Sequence, residues 1–314
     1  MKKALLPGRF AVHTLPIFLW FNLGMNDTFK TIALIGKYKS PEIAGYLQTL
    51  ARYLTDRGAT VLVDRLTAAH LENNTYPVMA LEDIGKRAKL AIVIGGDGTM
   101  LNIARTFAPH DVALVGVNQG RLGFLTDISL DTMLETIGAI LDGNYVAEQR
   151  MLLSAEIFSS NQSVLKVLVF NDVAVSKGAK GSLIEFDVHI NQQYVYTLRS
   201  DGLIVSTPTG STAYALSAGG PIVHPSLSLI ALVPVAPHTL SNRPIIVSGE
   251  STVEILMHDS GDARAHFDSH SHFDLRDGDK IQVRRAPATI RLLHPVGHNY
   301  YHMLREKLHW NKTS

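Results

Sequence analysis

The sequence predicts an α/β N-terminal domain built on a Rossmann-like parallel sheet, then a β-rich C-terminal domain, with a C-terminal helix returning to the first domain. Three observations predict it. Apolar strands alternate with amphipathic helices up to about Tyr145, which is the grammar of parallel βαβ units. Beyond that point strand-like segments follow one another, rich in β-branched residues and turn signals. The tail Asn299–Trp310 puts Tyr300, Met303, Leu304 and Leu308 on one side of a helix.

Each element has its local reason. "KTIALIG" (Lys30–Gly36) is a buried-type strand, and Ser40 with Pro41 supplies an N-cap and an N1 proline for a helix to about Arg57, stopped by Gly58. "ATVLVD" (Ala59–Asp64) is the next strand. After Tyr76-Pro77 a short helix is expected around Val78–Ala88. "KLAIVIGG" and Val112–Asn118 are further strands with a helix between them, and Leu130–Leu141 is a helix ended by Asp142-Gly143. The strands of the second half include "VLKVLVFNDVAVS", "LIEFDVHINQQYVYTLRSDGLIVS", "RPIIVSG", "STVEILMH", "DKIQVRRA" and "ATIRLLH".

The expected division is an α/β domain at 28–147 and 297–314, a β-rich domain at 148–296, and an N-terminal extension at 1–27. The extension reads as dispensable. Pro7, Arg9, His13 and Pro16 interrupt what would be the apolar core of a signal peptide, and Met25 opens a natural start before the first strand.

Composition narrows the function classes. At 314 residues and 46% hydrophobic, the chain can bury a proper core. A net charge of +1 gives no electrostatic footprint for nucleic acid. Without cysteine there is no disulfide, thiolate nucleophile or Cys-ligated zinc, and a reducing compartment fits. No apolar run reaches the ~18 residues of a membrane span. A cytoplasmic protein is expected, with neither membrane nor nucleic acid as partner.

The strand Leu90–Ile94 ends in Gly95, Gly96, Asp97, Gly98 and Thr99. That places the turn at the carboxyl edge of a parallel sheet, where such sheets bind ligands. The glycines allow positive φ or the close approach of another group. Thr99 is expected to begin a helix with an apolar face of Met100, Ile103, Ala104 and Phe107, ended by Pro109, and its free amides make an anion site. A carboxylate beside phosphate is repulsive unless it binds a metal, takes a proton or orients a hydroxyl, which fits phosphoryl transfer with Asp97 at the attacking hydroxyl. The other reading is a plain strand-to-helix turn capped by Asp97. Neither G-x4-G-K-[ST] nor a strand-borne G-x-G-x-x-G occurs.

"RSDGLIVSTPTGSTAYALSAGGPI" (Arg199–Ile222) crowds Ser206, Thr207, Thr209, Ser211 and Thr212 around Pro208 and Gly210. Hydroxyls and helix-start amides suit phosphate and ribose, and Tyr214 could stack on a ring; a Ser/Thr-rich turn that merely caps a helix is the alternative. No G-x-S-x-G supports a serine hydrolase. Asn171 and Asp172 could grip an adenine edge and a ribose diol, or simply end a strand. At strand spacing His266, Asp268, His270 and His272 would share one face, as a metal site or, more simply, as a polar ligand-facing strand.

Together these blocks, with "NQGRLGFLTD" at Asn118–Asp127, resemble the NAD kinase family of bacterial type, from about Thr28 to the C-terminal helix. The resemblance implies transfer of the ATP γ-phosphate (or phosphate from polyphosphate) to the 2′-hydroxyl of the adenosine ribose of NAD, giving NADP. Asp97 would be the base, with Gly95, Gly96, Gly98 and Thr99 around the nucleotide. Asn171 and Asp172 would match the family's Asn-Glu pair. Arg199, Asp201 and the run Thr212, Ala213, Tyr214, Ala215, Leu216 and Ser217 would match further NAD contacts, with Thr209 beside them. Ser182 stands where relatives often carry His or Arg, Asp268 and His270 fall in a late substrate-contacting strand, and Arg199 hints at NAD over NADH. Mg²⁺ or another divalent cation is expected with ATP, brought by the nucleotide because the sequence holds no dedicated cage. The family's site spans subunits, so a homo-oligomer, dimer or tetramer, is implied. A GGDGT-type lipid or sugar kinase and a non-catalytic dinucleotide sensor are the alternatives.

Overall fold

A computed structural model describes residues 29–310, apart from positions 39, 72, 73, 121, 180 and 240. The expected extension at 1–27 lies outside the described residues. The first half runs β1 (Thr31–Gly36), α1 (Ala44–Asp56), β2 (Thr60–Asp64), α2 (Arg65–Ala68), β3 (Val78–Met79), α3 (Leu81–Gly85), β4 (Leu90–Ile94), α4 (Asp97–Phe107), β5 (Ala113–Asn118), β6 (Ile128–Ser129) and α5 (Met133–Leu141). Strands β3, β2, β1, β4 and β5 lie side by side, all parallel. They are apolar on both faces because helices cover both. Ile32, Leu34, Ile92 and Ile94 meet Leu47, Leu50 and Leu54 of α1 and Ile137 and Ile140 of α5. The alternate residues Ala33, Ile35, Ala91 and Val93 meet Met100, Ile103 and Phe107 of α4.

The second half runs β7 (Tyr145–Ser159), β8 (Gln162–Val169), β9 (Asp172–Ser176), β10 (Ile184–Ile190), β11 (Gln193–Ser200), β12 (Gly202–Ser206), α6 (Tyr214–Ser217), β13 (Leu229–Val235), β14 (Ile245–Ser248), β15 (Val253–Asp259), β16 (Arg264–Phe267), β17 (Ser271–Asp274), β18 (Lys280–Pro295) and α7 (Tyr300–Leu308). An antiparallel sheet in the order β14-β13-β12-β9-β16-β17 packs face to face on β7, β10, β15 and β18. Val173, Leu203, Leu232 and Phe267 enter this core from one sheet, and Ile157, Phe186, Ile255 and Ile281 from the other.

The two halves share a sheet. Strand β18 pairs antiparallel with β15 and β7, and near its end Leu292 lies parallel to Leu114 of β5. The final helix α7 sits at the junction. Its Tyr300, Met303 and Leu304 pack on Leu122 and Phe124 of the first half and on Ile222 of the second. Among the described residues no helix is long and apolar enough to cross a membrane.

Several local expectations change. Val78–Ala88 is not one helix, because Val78 and Met79 pair in parallel with Val63 and Asp64, and only Leu81–Gly85 is helical. Ser40 makes no side-chain cap. Its hydroxyl donates to Glu42 and accepts from Gln119, and Pro41 opens a 3-10 turn that leads into α1. "DKIQVRRA" and "ATIRLLH" form one strand, β18, whose register against β7 shifts between Arg285 and Thr289.

Candidate functional site

Helix α4 starts at Asp97 rather than Thr99, with Gly96 as its N-cap. Asp97 does not cap it. Its carboxylate turns across to the loop between β5 and β6, accepting the amides of Phe124 at 2.9 Å and Leu125 at 3.0 Å, with the Thr126 hydroxyl at 3.4 Å. The capping reading is thereby set aside. The loop can lie this close because two residues lack side chains. A Cβ on Gly123 would sit 2.2 Å from Asp97 Oδ1, and one on Gly116 would sit 2.3 Å from the Leu125 carbonyl.

Gly95, Gly96 and Gly98 do not adopt positive φ, which corrects one reason offered for them. Gly95 is needed for packing, since a Cβ there would strike Thr99. Gly96 and Gly98 have open space around them and are exposed. Nothing among the described residues requires glycine at these two positions. Beside them the amides of Asp97 and Gly98, at the helix start, have no intrahelical partner. The turn thus presents an oriented carboxylate, free donors and room for a group from outside.

The hydroxyl cluster of the second constellation turns largely inward, correcting the expectation that it faces a ligand. Ser206 donates to the Asn171 and Thr207 carbonyls. Thr207 donates to the Phe170 carbonyl and accepts the Gly210 amide. Ser211 donates to Pro208 and accepts the Val223 amide. Thr209 is buried and accepts from Arg150 Nη1 at 3.2 Å. These bonds weld the Thr207–Gly210 turn onto the Asn171–Asp172 turn. Thr212, Ala213, Leu216 and the exposed Tyr214 and Ser217 remain accessible to solvent, whereas Ala215 is buried against Ile204 and Val233.

Asn171 and Asp172 stand at this same end of the second sheet, and their side chains accept or donate no hydrogen bond to a described residue. Asp268 is not a ligand-facing residue. Its side chain is 0% exposed, accepts the amides of Phe170, Asn171 and Asp172, and forms an ion pair at 2.6 Å with Arg105 of α4. The four-residue face expected of His266–His272 does not exist. Asp268 and Ser269 take positive φ and fold the segment into a hairpin, so His266 pairs across to His272 while His270 stands exposed at the turn. No metal-ligand cluster forms there among the described residues.

Ser182, Arg199 and Asp201 lie elsewhere. Gly202, next to Asp201, pairs with Ser176, and Ser206 at the other end of β12 pairs with Asp172. Four residue steps of strand, roughly 13 Å, separate the two ends. Asp201 is held there by Lys177 at 2.7 Å, and Ser182 and Arg199 are exposed. The predicted residues therefore fall into two groups within one chain.

The only cluster of potential metal ligands among the described residues is Asp127, His294 and His298. Mg²⁺ demands octahedral oxygen ligands, and two imidazoles do not supply them. The residues present build no cage for Mg²⁺.

Sequence reasoning missed Arg105, Glu148, Arg150, His294 and His298. Asp127 lies in the quoted block Asn118–Asp127, but nothing in the sequence pairs it with two histidines 167 and 171 residues away.

Family models describe both halves: the ATP-NAD kinase N-terminal domain matches residues 32–145 and the ATP-NAD kinase C-terminal domain matches 170–294. The chain belongs to the NAD kinase family. The NAD kinase of Nitrosospira multiformis is 64% identical across 91% of this chain and 98% of that protein. That of Nitrosomonas europaea is 59% identical across 90% and 96%. Among solved structures, an Archaeoglobus fulgidus NAD kinase in complex with ATP matches with a TM-score of 0.69 at 25% identity, over 89% of this chain and 98% of that one. Yeast NADH kinase complexed with NADH shares the fold, with a TM-score of 0.82 at 24% identity over 92% and 90%. Both the GGDGT half and the TPTGSTAY half thus fall to one NAD kinase architecture, which a lipid or sugar kinase sharing GGDGT alone does not explain.

The carboxyl of Asp172 has a strongly raised pKa. Burial pushes its carboxyl up to about 7, and the neighbouring Asp268 charge adds to the effect. The folded state therefore holds a proton that the unfolded chain releases near 3.8. Stability from this group is complete below that value and is lost as pH rises towards 7, by up to about 4 kcal/mol. Asp172→Asn should accordingly raise Tm at about pH 8 and leave it nearly unchanged at about pH 4, in thermal melts across that range; a constant difference would contradict the assignment.

Proposed function

We propose that this chain catalyses ATP:NAD 2′-phosphotransfer, moving the γ-phosphoryl group of ATP to the 2′-hydroxyl of the adenosine ribose of NAD. The observation that carries the reading is the arrangement at one turn: a carboxylate aimed by two backbone amides, beside helix-start donors and two glycines that leave open space. Family membership supplies the identity of the substrates. The divalent cation, Mg²⁺ by preference, would arrive on the ATP phosphates and supply charge neutralisation there.

Asp97 does two things in this reading. Its fixed orientation holds the ribose hydroxyl in line with the phosphoryl group, and it takes the hydroxyl proton as the new P–O bond forms. A ribose hydroxyl is a poor acid and a carboxylate a weak base, so removal of the proton before attack would be uphill. A loose transition state allows proton transfer to come late, which suits such a base. The amides at the start of α4 and the space over Gly96 and Gly98 would receive phosphate oxygens. The side chains of Asn171 and Asp172, without a hydrogen-bond partner among the described residues, would take polar groups of the dinucleotide. The exposed Tyr214 would lie against a ring, with Thr212, Ala213, Leu216 and Ser217 around it. Ser182, Arg199 and Asp201 would serve a neighbouring subunit's site, since they lie at the end of the β-sandwich opposite Asn171 and Asp172. That division supports a homo-oligomer, and the substrates suit an enzyme that acts in the cytoplasm.

NADP formation from NAD and Mg-ATP, followed with an NADP-specific dehydrogenase, tests the reading. Wild type should turn over, and Asp97→Asn should lose ~10²–10⁴-fold in kcat while still binding NAD. A folded wild type that makes no NADP would sink the activity. Gly98→Ala separates binding from stability. Alanine in an open helical position should gain up to ~1 kcal/mol of stability, while the added methyl group raises KM for ATP; a more stable variant with unchanged KM would remove Gly98 from the phosphate site. Mixing Asp97→Asn with Arg199→Ala subunits should restore part of the activity that each lacks if sites are shared, and none if each chain is self-sufficient.

A further inference from the structure

The loop that holds Asp97 is itself held from behind. Its turn closes through the Gly123 amide on the Thr126 carbonyl, and Asn118 Nδ2 donates to the Thr126 and Ile128 carbonyls. The next side chain, Asp127, points away from the catalytic turn. Its Oδ2 lies 2.9 Å from His294 Nδ1, at the end of β18, and 2.8 Å from His298 Nδ1, just before α7. On its other side His294 Nε2 lies 3.3 Å from Glu148 Oε2 of β7. Glu148 is paired with Arg150 Nη2 at 2.7 Å, and Arg150 Nη1 reaches Thr209. A continuous polar chain therefore runs from the loop that orients Asp97 to the Thr207–Gly210 turn of the other half.

His294 is 2% exposed and stands between two carboxylates. A neutral imidazole has one N–H, so its other nitrogen would direct a lone pair at one of them. Only the imidazolium offers a proton to both. Burial disfavours that charge, yet Asp127 and Glu148 together raise the His294 pKa above the ordinary histidine value. The same contacts overcome burial at the acids and hold Asp127 and Glu148 down at about 2. Arg150, His298 and Tyr300 are the other titratable groups around this cluster.

A metal ion does not fit here. The His294 and His298 rings are stacked, with centroids 3.8 Å apart and planes 19° from parallel. An ion must lie near the plane of each ligating ring at about 2 Å from its nitrogen, and two rings stacked this way cannot share one. Nor is the cluster arranged for maximum stability. Asp127 Oδ1, Arg150 Nε and His294 Nε2 are buried without a well-aligned hydrogen bond, and buried ionic groups in this condition are weak stabilisers.

We propose that His294 is a positioning residue for phosphoryl transfer: by bridging Asp127 and Glu148 it fixes the loop whose amides aim Asp97, and couples that loop to the Thr209 turn. The role rests on the kinase reading above. The protonated ring is the active form. Raising the pH through its pKa removes the bridge, so turnover declines on the alkaline side. The reacting atoms are never touched by His294, so the loss falls on kcat rather than on KM.

His294→Gln keeps a polar side chain that cannot carry the charge. NADP formation by wild type comes first and decides the kinase reading; wild-type inactivity would sink that reading and the positioning role with it. Given an active wild type, the ratio of wild-type to His294→Gln kcat should be about 10- to 100-fold near neutral pH, the scale of a misplaced catalytic group. It should shrink towards one at alkaline pH, with both KM values within about twofold of wild type. Comparing the two enzymes at each pH cancels other titrating groups, Asp172 included. A ratio that stays constant with pH, or a change confined to KM, would overturn the proposal. Asp127→Asn gives a second reading if His294→Gln folds poorly. Its kcat should fall similarly, and the double variant should be no worse than the poorer single one, because both remove one bridge. Additive losses would overturn the bridge.

Discussion

Strand β18 is the constraint on which the site depends. It is hydrogen-bonded to β15 and β7 of the second half, and near its end it lies against β5 of the first. One strand thereby fixes the position of the β-sandwich relative to the parallel sheet. Its last residues deliver His294 to Asp127, and the turn beyond it starts α7. Without that shared strand, the carboxyl edge that bears Asp97 and the sheet end that bears Asn171 and Asp172 would be separate surfaces.

Three further straps cross the same junction, each of different chemistry. Arg105 of α4 reaches the buried Asp268. The apolar face of α7 covers Leu122 and Phe124 on one side and Ile222 on the other. The chain Asp127, His294, Glu148, Arg150 and Thr209 crosses on polar contacts alone. Arg105 and Asp97 share a helix, so the first strap ties Asp97 to the Asn171–Asp172 turn through about two turns of α4, roughly 12 Å. Cores packed at crystal density resist continuous deformation, and ties at several points leave the two halves little freedom to slide.

Much of this was legible in the sequence, and the misses have physical causes. The strand β4, the glycine turn and α4 follow from local periodicity, and local periodicity is what a sequence displays. The double-sided burial of β1 and β4 was readable from their uninterrupted apolar runs. Val78–Met79 was not, because pairing with Val63–Asp64 is a tertiary interaction that overrides local preference. The histidine segment misled because period-2 reasoning assumes an extended chain, and Asp268 and Ser269 instead take left-handed conformations. The hydroxyl-rich turn misled differently. Ser and Thr suit ligand phosphates and their own backbone equally well, and here the backbone claims Ser206, Thr207 and Ser211. The bridge through His294 joins residues far apart in sequence, so no window contains it.

What is left unspent is the best guide to the chemistry. Buried polar groups in a folded chain are nearly all satisfied, and most of the conspicuous ones here are consumed internally: Asp268 by three amides and an arginine, the Ser206, Thr207 and Ser211 hydroxyls by neighbouring backbone, Asp97 in part by the Phe124 and Leu125 amides. Oδ2 of Asp97 accepts only the Phe124 amide and retains a lone pair beyond it. Gly96 and Gly98 retain their space, and Asn171 and Asp172 retain their polar ends. These remainders belong to the motifs by which the NAD kinase family is known. A carboxylate already aimed by backbone amides needs no reorganisation when a hydroxyl arrives, and preorganisation of that kind is where an enzyme gains most of its rate. If Asp97 is the base, the loop that provides the aim is as much a part of the machinery as the acid, and its rear anchorage at Asp127 then bears on turnover.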